Sequence, residues 1–344
     1  METTTPSQPA TTADASTEPV RRGVRPALLL FILSPLIAEY LLGNVSISAL
    51  GYLVIFAPLY GAGALLVREI TRRSGRGWPT MVLLGFAYAV IEEGLVTQTL
   101  FNPSYFGFEL LGAAHVDALG MGMWWTLFVL TLHTVWSTSV AIALVEALAV
   151  RRRTTPWLGR TGLTVTAVVF ALGVTVNAYG THVQERFVAS LPQLGGAVVV
   201  TVATIITAFA FRGGRGARDE RPAPRPVLVG AMALAASSVF MVTVPPAPWG
   251  SATDWAVVGL YLVIYAVVIA RVARWSSRSG WDDRHRLALA GGALLTYAWH
   301  AFPSDPIVGA TGAVDLVGNA VFAAGAVALL AAAAVKVRRT AAAP

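Results

Sequence analysis

Ten apolar runs separated by short polar gaps account for most of the chain: 26–43, 45–67, 78–101, 122–150, 161–180, 194–211, 226–244, 254–272, 286–302 and 313–335. Each approaches the roughly 20 residues that a helix needs to cross about 30 Å of hydrocarbon. The pattern predicts an all-α fold, a polytopic transmembrane bundle of about ten spans. The fourth run is long enough to tilt or to project past the interface. Gly and Ala are frequent within the runs, which lets helix backbones approach closely.

The polar gaps orient this bundle. Of the 25 Lys and Arg residues, all but Arg186 lie before the first run, after the last, or within or at the edges of alternate gaps between them. Short basic loops resist translocation, so this alternation predicts both termini on the cytoplasmic side of a plasma membrane. Residues 1–25 lack apolar periodicity and are expected to form a disordered tail. Residues 26–211 hold spans one to six, the Arg/Gly/Pro-rich segment 212–225 reads as a flexible linker, and 226–338 hold the last four spans. The outer loop 102–121 opens on Asn102-Pro103 and carries Tyr105, Phe106, Phe108, His115 and Asp117. Its aromatic and Leu-rich character predicts a short interfacial helix.

Composition narrows the chemistry. A chain that is 56% hydrophobic and 12% charged is too apolar for an ordinary soluble domain. Its pI near 10.1 fits attraction to anionic membrane lipid better than nucleic acid, because the charge is spread over the loops. With no cysteine, thiol nucleophiles, thiolate metal sites and disulfides are excluded. No metal motif or cofactor signature is present, and the small-molecule or lipid substrate stays unspecified.

The most informative local feature is a pair of acids inside the third run, Glu92 and Glu93. An ionised carboxylate in hydrocarbon costs several kcal/mol, so two in succession call for a cavity, a partner or protons. Rise per residue places Glu92 roughly 14 Å and His133 about 16 Å from the outer ends of antiparallel neighbours. The two are expected to share a polar cavity. At about 100° per residue, adjacent glutamates point apart, so Glu93 is expected to bond a third helix. Tyr88, Glu92 and Thr99 form one stripe, and Glu93 with Thr97 another. Glu39, Asn177, His182 and His300 lie in the outer third and complete the candidate cavity. Ser137, one turn from His133, is expected to bond its own backbone carbonyl. Pro35 and Pro58 bend the first two spans. At the inner surface Glu69 pairs with Arg73, and Glu146 is expected to snorkel to the interface.

Glu92-Glu93 in one span and His133 in the next resembles the CPBP intramembrane proteases, the glutamate-type CAAX-processing enzymes. Those carry EExxxR, FxxxH and HxxxN on separate helices. Here Thr97 stands at the Arg position and Val129 at the Phe position, and no HxxxN occurs. The resemblance implies a hydrolytic role for Glu92, Glu93 and His133. Ten short spans with both ends inside also resemble the drug/metabolite transporter group, by topology alone.

Three functions follow. The first is a transporter or permease with an outward-facing polar cavity, proton-coupled through Glu92 and Glu93. The second is an intramembrane hydrolase or lipid-modifying enzyme using Glu92 or Glu93 with His133 as base and orienter, with or without a metal. The third is a scaffold or sensor whose polar groups serve packing.

Overall fold

The structure is a computed structural model that describes residues 23–210, 219–245 and 250–341. The tail 1–22 and linker residues 211–218 lie outside the described residues. Ten helical rods among the described residues coincide with the ten apolar runs. They are α1 (Arg25–Pro35, continued by a wide turn Leu36–Leu41), α2 (Ile47–Arg73), α3 (Trp78–Val96), α4 (Met123–Leu148), α5 (Arg160–Glu185), α6 (Leu191–Ala210), α7 (Pro226–Val242), α8 (Ala252–Ser276), α9 (Asp283–His300) and α10 (Ala313–Ala341). Seven of them, α2 to α6, α8 and α10, are long and apolar enough to cross a membrane. The protein is a multi-pass membrane helix bundle.

Burial separates rods that hydropathy makes alike. In α4 78% of the most apolar stretch is buried, against 11% in α5 and 17% in α6, α8 and α10. With no hydrophobic drive between helices in lipid, α4 is fixed by specific contacts on two faces. On one face Trp136 stacks on Tyr297 of α9 with ring centroids 4.4 Å apart and donates from Nε1 to the Ala293 carbonyl. Phe240 of α7 and Tyr261 of α8 extend this aromatic core. A neighbouring face carries His133 toward α2 and α3.

Close helix approach around α2 depends on glycine, as Gly61 and Gly63 show. A Cβ on Gly61 of α2 would lie 2.0 Å from the Phe31 carbonyl oxygen of α1, and one on Gly63 would lie 2.3 Å from the Tyr88 ring of α3. Only a residue lacking a side chain permits both crossings.

Three expectations are corrected. The outer loop forms no interfacial helix: it is a set of turns with a short 3₁₀ segment, Tyr105–Gly107, and a two-residue hairpin pairing His115–Val116 with Met121–Gly122. Its Asn102 side chain and Phe106 N–H both donate to Glu185 of α5, which pins the loop without helical hydrogen bonds. Within the linker, Asp219–Pro222 pairs in parallel with Arg278–Ser279. Glu146 does not snorkel. It is buried and accepts from Arg68 (3.1 Å) and Arg72 (2.6 Å), because two guanidinium groups on α2 face it. Arg68, fully buried, also donates to the carbonyls of Arg152, Arg153 and Thr155, lies over the Trp157 ring, and contacts Glu69 at 2.5 Å. Glu69 reaches Arg73 at 3.5 Å, as the i, i+4 spacing predicts, and accepts from the Trp157 and Leu158 N–H groups. This network seats the basic loop 149–158 beneath α2.

Candidate functional site

The first four rods each contain a stretch of π-helix: Leu36–Leu41, Ala57–Gly61, Ile91–Val96 and His133–Val140. An i→i+5 ladder is wider than an α-helix and rotates each residue through less than about 100°. Proline supplies part of the cause in the first two, since Pro35 and Pro58 lack the N–H that an α-helical ladder would use there. The third closes with Thr97 N–H bonding the Glu92 carbonyl at 2.8 Å, after which Gln98, at φ 58°, turns the chain away.

These four stretches converge. Glu93 Oε1 lies 2.7 Å from His133 Nε2, and Glu92 Oε2 lies 3.0 Å from Nδ1. All three side chains are buried, at 4%, 1% and 6% exposure. The expectation that Glu93 serves a third helix is corrected. The π turn narrows the angle between adjacent residues, so both acids reach one imidazole. Thr97 and Thr99 donate to Glu93 Oε2, and Trp125 Nε1 donates to Thr99 at 3.1 Å, which places Thr99 with Glu93 rather than on the Glu92 stripe. Ser137 Oγ lies 3.2 Å from His133 Nδ1, so it bonds the imidazole and not its own helix.

Glu92 is held differently. Its Oε2 makes no hydrogen bond, so the close approach to Nδ1 lies off the ring N–H direction. Tyr88 presents its buried hydroxyl toward the same carboxylate. Glu39 approaches from α1, close enough to interact with the charges of His133 and Glu92. Its Oε1 accepts from the Tyr60 hydroxyl and its Oε2 from Asn44 at 3.4 Å. Tyr60 packs on the His133 ring, centroids 5.7 Å apart. Tyr105 of the outer loop sits near Glu93 and Glu39, and burial holds its hydroxyl well above the usual tyrosine range, so it stays a neutral donor.

The site therefore gathers Glu39, Tyr88, Glu92, Glu93 and His133 from the sequence-based candidates. The other three lie elsewhere. Asn177 bonds the Gly173 and Ile55 carbonyls and ties α5 to α2. His182 is exposed beside the Phe187 carbonyl. His300, at the end of α9, is half-buried and contacts the backbone of Leu42. All three face other neighbours, since position along a rod says nothing about azimuth. Tyr60 and Trp125 escaped the sequence reading: an aromatic residue in an apolar run carries no polar signal.

No curated protein and no solved structure matches the chain. One family model does match, over residues 28–339, and its description is "Uncharacterized membrane protein family". The chain belongs to that family.

Proposed function

We propose that this member of the family is an intramembrane hydrolase that cleaves an ester or amide bond, with Glu92, Glu93 and His133 as its acid–base group. One observation carries the reading. Adjacent acids on a widened turn meet the two nitrogens of a single buried histidine. A helix glued by hydrogen bonds needs one such contact, whereas a proton relay needs a base, a carrier and an orienting partner.

The roles follow from the contacts. Glu93, fixed by two threonine hydroxyls, orients His133. Glu92, whose Oε2 has no hydrogen bond, takes the proton from water as the hydroxide adds to the scissile carbonyl. His133 returns a proton to the leaving oxygen or nitrogen, so the bond cleaves with no net proton change at the site. The Tyr88 hydroxyl donates to the developing oxyanion. Basic loops on one face support the plasma-membrane placement with both termini inside, and with it a site opening toward the outer half of the bilayer.

The experiment is hydrolysis in ¹⁸O-labelled water, read by mass spectrometry, with purified protein in nanodiscs and panels of lipid esters and membrane-anchored peptides. Wild type should incorporate label into one product class, and Glu92→Gln should slow it by about 10²–10⁴-fold. Label that appears equally with Glu92→Gln sinks the assignment. A second reading, proton-coupled transport, is favoured by Glu39, because three carboxylates around one histidine exceed what hydrolysis needs. Its signature is substrate-linked proton uptake in proteoliposomes.

A further inference from the structure

We infer that Glu92, Glu93 and His133 bind one divalent first-row transition-metal cation. The inference revises the hydrolytic reading by naming a cofactor: an ion held by Glu92 and His133 would occupy the lone pairs that carry protons in the metal-free site and would activate water in their place. The cation's catalytic use rests on that reading, while its binding rests only on the geometry that follows.

Each of the three residues offers a ligand atom, and these atoms lie within 4.8 Å of one another. Ligands held at about 2.0–2.2 Å by a tetrahedral ion stand a little over 3 Å apart, so the 2.7 Å between Glu93 Oε1 and His133 Nε2 needs only a slight opening. The surroundings are those of ligands rather than of a closed ion-pair cluster. Thr97 and Thr99 occupy Glu93 Oε2 and leave Oε1 facing Nε2. Ser137 Oγ lies 3.2 Å from His133 Nδ1, where it can accept the Nδ1–H of a ring that ligates through Nε2. Glu92 Oε2 is buried and accepts no hydrogen bond, and the buried Tyr88 hydroxyl is aimed at Glu92.

Charge points the same way. Even an imidazolium leaves two buried carboxylates with an uncompensated negative charge, and Glu39 stands nearby. A buried charge without a partner is strongly destabilising, whereas a divalent cation neutralises both ligating carboxylates. One imidazole and two carboxylates without a thiolate suit zinc, manganese or ferrous iron and exclude the soft-ligand preference of cuprous copper. Three protein ligands leave a coordination position for water, the arrangement of catalytic sites. Sequence spacing hides this site because its ligands lie on two rods, and the adjacent pair reaches one ion only through the π turn.

The test uses full-length protein in detergent, stripped with chelator, equilibrated with Zn²⁺ or Mn²⁺ and desalted. Mass spectrometry should find about one ion per chain in wild type, and Glu93→Gln and His133→Asn should each weaken binding by at least about 100-fold. Exposed His182→Asn should bind as wild type does. The bound ion should raise the melting temperature of wild type and His182→Asn but not of the two ligand variants. Wild type that melts cooperatively yet holds no ion overturns the inference, as does equal loading of the two ligand variants. Should those variants fail to fold, visible absorption of wild type loaded with Co²⁺ decides. Displacement of those bands by Zn²⁺ supports the site, and absence of bands removes it. Hydrolysis by metal-free protein would keep the hydrolase and discard the cation, whereas stoichiometric ion without any hydrolysis does the reverse.

Discussion

His133 is the residue on which the site turns, because both of its nitrogens are engaged and Tyr60 packs on its ring. Its neighbours divide into two kinds, and substitution separates them. Thr99→Val removes the donor between Trp125 and Glu93 without touching His133, so it should weaken divalent-cation binding by about 10–100-fold while the protein still melts cooperatively. Glu93→Ala should cost about 1–3 kcal/mol more stability than Glu93→Gln, since Ala leaves Thr97 and Thr99 without an acceptor in a buried place. Thermal unfolding of the two variants side by side checks this, and equal melting points would make the threonine contacts incidental. The sequence made Glu92, Glu93 and His133 legible for a simple reason: charge in an apolar run is conspicuous. Glu93's true partner was not legible. It depends on rotation per residue, which residue identity does not display.

At the scale of helices, the π stretches and the glycine crossings set the positions of the side chains. Gly61→Ala drives a methyl into a backbone carbonyl of α1, so α1 and α2 must separate and the Glu39–Tyr60 bond must break. Gly63→Ala meets the Tyr88 ring, which has room to yield only by moving from Glu92. Each should destabilise by about 1–3 kcal/mol and depress any activity of the site. Gly195 and Gly259 face open space, and Ala there should be neutral or stabilising by up to about 1 kcal/mol. Denaturant titration of the four variants tests the contrast. The rods themselves were readable to within a few residues from the apolar runs, because length in hydrocarbon is dictated by membrane thickness. The early end of α3 at Val96 was not, since Leu100 and Phe101 carry the apolar run past Thr97, Gln98 and Thr99, where the backbone turns back.

At the scale of the molecule, the alternation of basic gaps predicts which loops share a side of the membrane. Single thiols at Leu110, Phe187 and Pro306 should label from outside, and those at Ser74, Thr155 and Gly280 from inside, each reporting alone in a chain without cysteine. One loop on the wrong side would mean a miscounted span. Arg68→Leu should cost about 3–5 kcal/mol, since Glu69 and Glu146 would lose their buried partner and loop 149–158 its anchor. Hydropathy revealed which segments belong in lipid, but not that α4 lies at the centre and α5 at the edge. In lipid both faces of a rod read as apolar, and only side-chain shape distinguishes them.

The widened turns make the site a matter of counting. A π stretch is an α-helix carrying surplus length, so its charged side chains keep their bearing only while the tally of residues between Tyr88 and Thr97 is kept. Shorten that interval by one and the hydropathy profile, the charge and the span length all survive. The carboxylates would then swing to a different bearing and leave His133 without its pair. Two chains of this family that print nearly the same letters can therefore differ in whether they own the site at all, and a gap placed by eye in an alignment decides which.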